Sequence, residues 1–437
     1  MCQKRVHMSA GLIKRLHISK IDAIIVVILL VIAGYVLSQS EYVSPAIEKV
    51  VSPTTEQQEE PEPEPEPELP VPPESLTAGY MRAVSPEDEG LHYDKLSVSR
   101  EWWYYSVIFD ETSELAGWTA TVSFNHMART DLLGTSKPDL FVFTLHGPDG
   151  EEYGGLINKE RGFGILQQPT LQAKTPGVGV SFEDSWAEGS APEWFVHAED
   201  GEIDKNHDII LDLSFFAPND PIWTIGDKAL SKNLQNLASY VFLGCNVTGT
   251  VQIDGKEYEV TGVGQHVHTW SPNVVTKVLV NGWDWSHITL DNGWTLYYST
   301  YYPTPQYIST KTPNLNPIAA LILTTDQGDT LTSFQDVNPE ITESDDEIFT
   351  FVKMPLEIQV NGKPGALQPL LGSYQITMDL NIRMTNTYEN VWKFPTYVGM
   401  NIGRSTVSGS ISWTGEEGEK EVSFSGIAST WSMRAFL

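Results

Sequence analysis

Two tryptophan-rich segments, Glu101-Trp102-Trp103-Tyr104 and Gly282-Trp283-Asp284-Trp285-Ser286-His287, constrain this chain more than any other feature. Aromatic residues favour strands, and a strand with aromatics at consecutive positions displays them on both faces. Each face must then meet apolar or ligand-filled space. Strands curled into barrels with a lined interior meet that demand.

The surrounding sequence agrees. Short apolar runs recur between turn residues, as in Leu140–Leu145, Ile209–Phe216, Thr250–Ile253 and Glu257–Thr261. Asp149-Gly150, Asp200-Gly201, Asp254-Gly255, Asn292-Gly293 and Asn361-Gly362 sit where hairpin turns are expected. Helical periodicity is confined to an N-terminal apolar run and to Asp227–Ala238, and no βαβ alternation is present. The chain reads as all-β.

The first 79 residues read differently. Lys4, Arg5, Lys14, Arg15 and Lys20 precede an uncharged run over 23–40, which predicts a cytoplasmic segment 1–22 and a transmembrane anchor. A cleaved signal peptide is the competing reading, with Ser38-Gln39-Ser40 as a weak cleavage site. Residues 41–79 follow as a disordered linker, where Pro and Glu alternate strictly from Pro61 to Glu68 and repeated carboxylates keep the chain extended. The expected localisation is therefore the cell membrane, single-pass, with the N-terminus inside and the folded part outside.

The formal charge is −30, most of it beyond the linker, so phosphate backbones are repelled and nucleic acid is excluded as a partner. Cys2 and Cys245 fall on opposite sides of the expected membrane and cannot pair within one chain. Asn246-Val247-Thr248 is an acceptor triplet for glycosylation.

A strand through Gly264-Gln265-His266-Val267-His268-Thr269-Trp270 would carry His266, His268 and Trp270 on one face. If the strand beginning at Gly282 is its neighbour, His268, Trp270 and Trp285 would surround a single cavity. His266 and His268 are of a ligand type suited to Zn²⁺. His126, His146 and His287 show no fixed spacing that would supply a third ligand, so no metal and no cofactor is expected. Glu101, beside two tryptophans, would need an Arg or a backbone donor if buried.

These segments, with His126-x-Ala128, Gly262…His268-x-Trp270 and Gly282-Trp283-Asp284-Trp285-x-x-Ile288-x-Leu290-Asp291-x-Gly293, resemble the carotenoid 1,2-hydratase (hydroxyneurosporene synthase) family and its AttH-type relatives. The resemblance runs from about Tyr80 to Leu437. It implies two lipocalin-like (calycin) antiparallel β-barrels, 80–275 and 276–437. It also implies apolar substrates, with water added to isoprenoid double bonds or cyclisation directed.

By the resemblance, His268 is the general acid and Trp270 the cation stabiliser. Val267 stands where the family usually carries Asp, Thr269 where its AttH-type relatives are often acidic, and Gln265 where an aromatic residue is usual, which leaves Asp284 as the remaining carboxylate candidate. Glu101, Trp102, Trp103, His126, His266, Trp283 and Trp285 are the expected ligand-binding residues. Three functions follow as expectations: capture of an apolar, isoprenoid or lipid-like molecule beside the lipid bilayer; an isoprenoid lyase using His268; or a surface scaffold whose cavity is packed shut.

Overall fold

The computed structural model describes residues 80–81, 83–93, 99–126, 139–161, 168–225, 238–272, 280–303, 318–324, 330–349, 352–364, 375–393, 397–415 and 418–436. The expected anchor, linker and short helix, at 1–79 and 227–237, lie outside the described residues; Ala238 opens a strand. No helix among the described residues is long and apolar enough to cross a membrane.

The first sheet comprises β1 (Tyr80–Met81), β2 (Ser99–Phe109), β3 (Thr119–His126), β4 (Asp139–His146), β5 (Glu152–Arg161), β6 (Gln168–Pro169), β7 (Leu171–Ala173), β8 (Val178–Phe182), β9 (Ser185–Ser190), β10 (Glu193–Glu199), β11 (Ile209–Phe216), β12 (Ile222–Ile225), β13 (Ala238–Ile253) and β14 (Lys256–Pro272). One helical turn, α1 (Pro86–Glu89), precedes β2. The second sheet comprises β15 (Val280–Leu290), β16 (Thr295–Pro303), β17 (Ile318–Thr324), β18 (Thr330–Phe349), β19 (Val352–Pro364), β20 (Gln375–Lys393), β21 (Tyr397–Gly415) and β22 (Gly418–Phe436). All belong to one compact part of the chain, 69–131 with 135–437.

The second lobe is a closed antiparallel barrel in chain order, with β22 returning to pair with β15. The first departs from the expected simple barrel. Its 14 strands follow an open path, β6-β5-β4-β3-β2-β14-β13-β11-β10-β9-β8-β7, with β12 and β1 attached at β13. The two ends of that path are consecutive pieces of chain, separated only by Thr170. The path curls until Phe182 of β8 stacks on Phe141 of β4, ring centroids 5.4 Å apart.

Four of the five turn dipeptides join strands. Asp254 and Gly255 link β13 to β14 with φ of 52° and 80°, the left-handed pair a two-residue hairpin needs. Asn361-Gly362 does not turn. Both residues continue β19, where Asn361 pairs with Asn338 and Asp379, because strands on either side extend the ladder past them.

Alternation explains the doubled aromatics. On β2, Trp103, Tyr105, Val107 and Phe109 enter the interior of the first lobe. Trp102 and Tyr104 point the other way, into a cluster that includes Val267, Trp283, Trp285, Met400 and Trp431 and joins the two lobes. The barrel keeps its own core, with Ile288, Leu290, Tyr298, Leu321 and Phe424 inside. Polar contacts cross the same seam: Ser106 Oγ lies 3.1 Å from His287 Nδ1, Thr121 Oγ1 lies 2.9 Å from Ser429 Oγ, and Arg404 Nε donates to the Gly117 carbonyl at 2.8 Å. Both faces of the Trp-rich strand are therefore buried, one inside a lobe and one between lobes.

Candidate functional site

The shared sheet sorts the candidate residues by parity. β14 pairs with β2 and β13, while β15 pairs with β16 and β22, so β14 and the strand beginning at Val280 are not paired neighbours. Glu101, Trp103, His126, His266, His268 and Trp270 face the interior side of the first lobe. Trp102, Trp283 and Trp285 meet between the lobes, with ring centroids 6.0 Å apart for Trp102–Trp283 and 5.6 Å for Trp102–Trp285. A single cavity bounded by His268, Trp270 and Trp285 is thereby ruled out: Trp285 stands on the far side of the sheet.

Asp284 belongs to neither group. Its carboxylate is fully buried in the barrel and accepts a two-pronged hydrogen bond from Arg434 Nη1 and Nη2 at 2.9 and 3.0 Å. A carboxylate forked by a guanidinium is fixed in position by two parallel hydrogen bonds. Asp284 is a structural partner of Arg434, not a companion of His268.

The interior group converges under a segment that the sequence reading passed over. Ser85 caps α1 through a reciprocal box: Asp88 N donates to Ser85 Oγ at 3.2 Å, and Ser85 N donates to Asp88 Oδ2 at 2.9 Å, with Pro86 at the first helical position. The turn lies on one end of the lobe. At Gly90 the approach is so close that an added Cβ would come within 2.3 Å of Thr175 Oγ1. His92 and Tyr93 follow and reach the strand ends.

Glu101 is fully buried and fully satisfied. Tyr93 N and His92 N donate to Oε2 at 2.8 and 2.9 Å, while His92 Nδ1 and His268 Nε2 each lie 2.9 Å from Oε1. The partners are backbone N–H groups and imidazoles; no arginine is needed. Burial alone would raise the Glu101 pKa, yet the hydrogen bonds from His268 and His92 hold it below the usual carboxylate range.

His268 is buried in an aromatic box. Its ring stacks on Trp103 at 4.8 Å, tilts against Trp270 at 5.0 Å and meets Tyr240 edge-on at 5.6 Å. Nδ1 lies 3.0 Å from the Asp88 carbonyl and 3.2 Å from the Tyr240 hydroxyl, and Nε2 faces Glu101. Burial drives the ring toward its neutral form, and Glu101 with the Asp88 carbonyl opposes this. Burial outweighs the opposing contacts, so the His268 pKa is lowered and the ring favours its neutral form. Its one proton serves Glu101 at Nε2 or the Asp88 carbonyl at Nδ1 according to tautomer, and the Tyr240 hydroxyl can donate to Nδ1 when the proton is at Nε2.

A second acid–imidazole pair stands alongside. His126 is the cross-strand partner of Glu101, its Nδ1 lies 3.1 Å from Asp139 Oδ1, and Tyr93 stacks on its ring at 3.9 Å. His92 stacks on Trp270 at 4.0 Å, nearly parallel, and forms the less buried rim. His266 sits deeper, its pKa pushed down to about 3 by burial, with Nδ1 3.2 Å from the Tyr104 carbonyl and its ring stacked on Tyr105. The aromatic floor beneath, lined by Tyr105, Val107, Val196, Leu213 and Phe215 among others, has no room for a water molecule.

His92, Glu101 and His268 also present one ligand atom each within 4.8 Å of one another, the donor types of a divalent-metal centre. A proton already completes the hydrogen bonding of the same three groups. Of these residues, Glu101, Trp103, His126, His266, His268 and Trp270 are candidates from the sequence. His92, Tyr93, Glu89, Asp139 and Tyr240 are not, and only the Ser-Pro-x-Asp capping pattern at 85–88 hints that this segment is ordered.

The seam between the lobes is a second place where polar groups are buried. Around it the Gln265 amide, His287 Nε2 and Trp431 Nε1 have no hydrogen-bond partner among the described residues.

No family model matches this chain, and no curated protein matches it. Solved structures resemble it in fold. CghA superposes with a TM-score of 0.54 at 13% identity, over 82% of this chain and 94% of CghA. CghA with Sch210972 gives the same score at 12% identity, over 83% and 95%. An AttH candidate from Nitrosomonas europaea gives 0.46 at 16% identity, over 84% and 100%. Kievitone hydratase from Nectria haematococca gives 0.47 at 9% identity, over 82% and 97%. The chain shares its overall fold with CghA.

Proposed function

We propose that the first lobe binds an apolar, unsaturated ligand of isoprenoid or lipid-like character beneath the Val84–Tyr93 segment, and that His268 with Glu101 protonates it. The observation that carries this reading is that both ring nitrogens of His268 face acceptors, so a proton is held inside an aromatic box. When ligand replaces the Asp88 carbonyl, His268 Nδ1–H points at the ligand. Transfer of that proton to an alkene carbon leaves the neighbouring carbon as a cation, and the π-faces of Trp103, Trp270 and Tyr240 stabilise it. Water adding to the cation releases a proton back to the His268–Glu101 pair, which is hydration; loss of an adjacent C–H proton to the same pair is isomerisation.

Carriage without chemistry is the second reading, favoured by the polar atoms buried without partners between the lobes. Gln265 is uncharged, and burial pushes the pKa of His287 down to about 3, so neither of these two residues supplies an acidic proton at neutral pH. The anchor and linker read from the sequence keep either activity beside a membrane, where apolar ligands dissolve.

The test uses the full chain and apolar extract from its host in D₂O. Product from the wild type carries deuterium at carbon, and His268→Ala yields none while still retaining bound ligand. Turnover that survives His268→Ala removes the acid assignment; bound ligand with no deuterium in either protein leaves carriage.

A further inference from the structure

Pro86, Asp88 and Glu89 of α1 offer acceptors to donors of the lobe, whereas Leu91, His92 and Tyr93 after it donate to the Lys174 carbonyl and to Glu101. The Glu89 carboxylate, on a residue only 1% exposed, accepts from Trp194 Nε1 at 2.9 Å and from Ala191 N at 2.9 and 3.1 Å. The Glu89 carbonyl accepts from Trp103 Nε1 at 3.1 Å, and the Asp88 carbonyl from His268 Nδ1 at 3.0 Å. With the turn displaced, each donor would be left buried and unpaired, which proteins avoid. A ligand taking the place of the turn must therefore bring acceptors of its own.

We propose that the hollow under Val84–Tyr93 is the head-group subsite for an amphiphilic ligand bearing a carboxylate, and that Glu89 occupies that subsite until the ligand displaces it. This rests on the apolar-ligand reading above and names the ligand's polar end. A turn that served only to plug the lobe could do so with an apolar side chain; burying a carboxylate is costly unless the site is built to receive one. Trp194, which holds the carboxylate, packs on Phe242 at 4.6 Å and against His266 at 5.0 Å, so the subsite borders the aromatic interior, whose side chains must part to admit a hydrocarbon tail. The pKa of Glu89, pushed up to about 7 by burial, makes it a weakly held occupant that a ligand can replace.

Competition for one subsite gives the test. Membranes bearing the full chain are photolabelled with a long-chain fatty acid carrying a diazirine, or with the matching long-chain alcohol, and labelling of the first lobe is titrated. Glu89→Ala vacates the subsite. Ser85→Ala removes only the capping box and loosens the turn without touching the wall. Cys245, fully buried and free, reports folding by its protection from maleimide.

In folded protein, Glu89→Ala is expected to lower the half-saturating fatty-acid concentration at least tenfold and Ser85→Ala several-fold, with no gain for the alcohol. Should Glu89→Ala fail to protect Cys245, the Ser85→Ala arm decides alone. Equal gains for acid and alcohol, or no gain for the acid, overturn the head-group subsite while the apolar-ligand reading stands. Absence of first-lobe labelling by either compound in every protein removes that reading as well.

Discussion

Asp284 and Glu101 show how far a carboxylate's role depends on its partners. Both are fully buried and lie beside tryptophans in sequence. Asp284 meets a guanidinium, which keeps its protons and only donates; Glu101 meets imidazoles, whose protons can move. The difference is testable at the barrel end. Asp284→Asn leaves Arg434 charged and buried without its anion and is expected to cost about 3–5 kcal/mol in urea unfolding. Replacing both together, Asp284→Leu with Arg434→Met, should cost clearly less, because no lone charge remains. Equal losses in the single and double variants would mean that packing, not charge, explains the site. Neither partner was legible from the sequence, since Arg434 lies 150 positions from Asp284.

At the scale of elements, β14 and the α1 turn share the work. β14 places His266, His268 and Trp270 by simple alternation, and that much is visible in the sequence. The turn then closes the site with groups the sequence does not advertise. Glu89 carries the measurable consequence. Its pKa is raised from 4.5 to about 7, so the folded state binds the proton more tightly than the unfolded chain does. Its contribution to stability is fully present below the ordinary carboxylate value and is lost as pH rises through about 7. Wild-type stability relative to Glu89→Gln, which cannot ionise, is therefore expected to fall between about pH 5 and 8 in paired urea titrations. A flat difference across that window would show that Glu89 does not hold its proton in the folded state.

Across the whole molecule, the lobes are joined by an aromatic core with a few polar contacts beside it. Trp102, Tyr104, Trp283, Trp285 and Trp431 are all buried there. Such a seam should make the lobes unfold together. Calorimetry of the wild type is expected to show one transition. Trp285→Asp, which sets an unpaired charge in the seam, should split it into two, with the barrel and the first lobe melting separately. A single transition in the variant would mean that cooperativity does not run through this core.

Alternation and turn chemistry, which are local, determined the all-β class, the strand faces and four of five turns. The same locality misled at Asn361-Gly362, where ladders on both sides carry the chain straight through a turn signal. The sequence by itself also marked His268 and Trp270, with Asp284, as catalytic candidates, and Glu101, Trp102, Trp103, His126, His266, Trp283 and Trp285 as ligand-binding ones. Only the tertiary structure decided that Trp285 and Asp284 stand apart from His268 and Trp270, and that His92, Tyr93 and Glu89 join those two. The physical reason is that strand parity is written along the chain, whereas strand neighbours and the docking of a short turn are settled by which buried surfaces and hydrogen-bond partners meet in three dimensions.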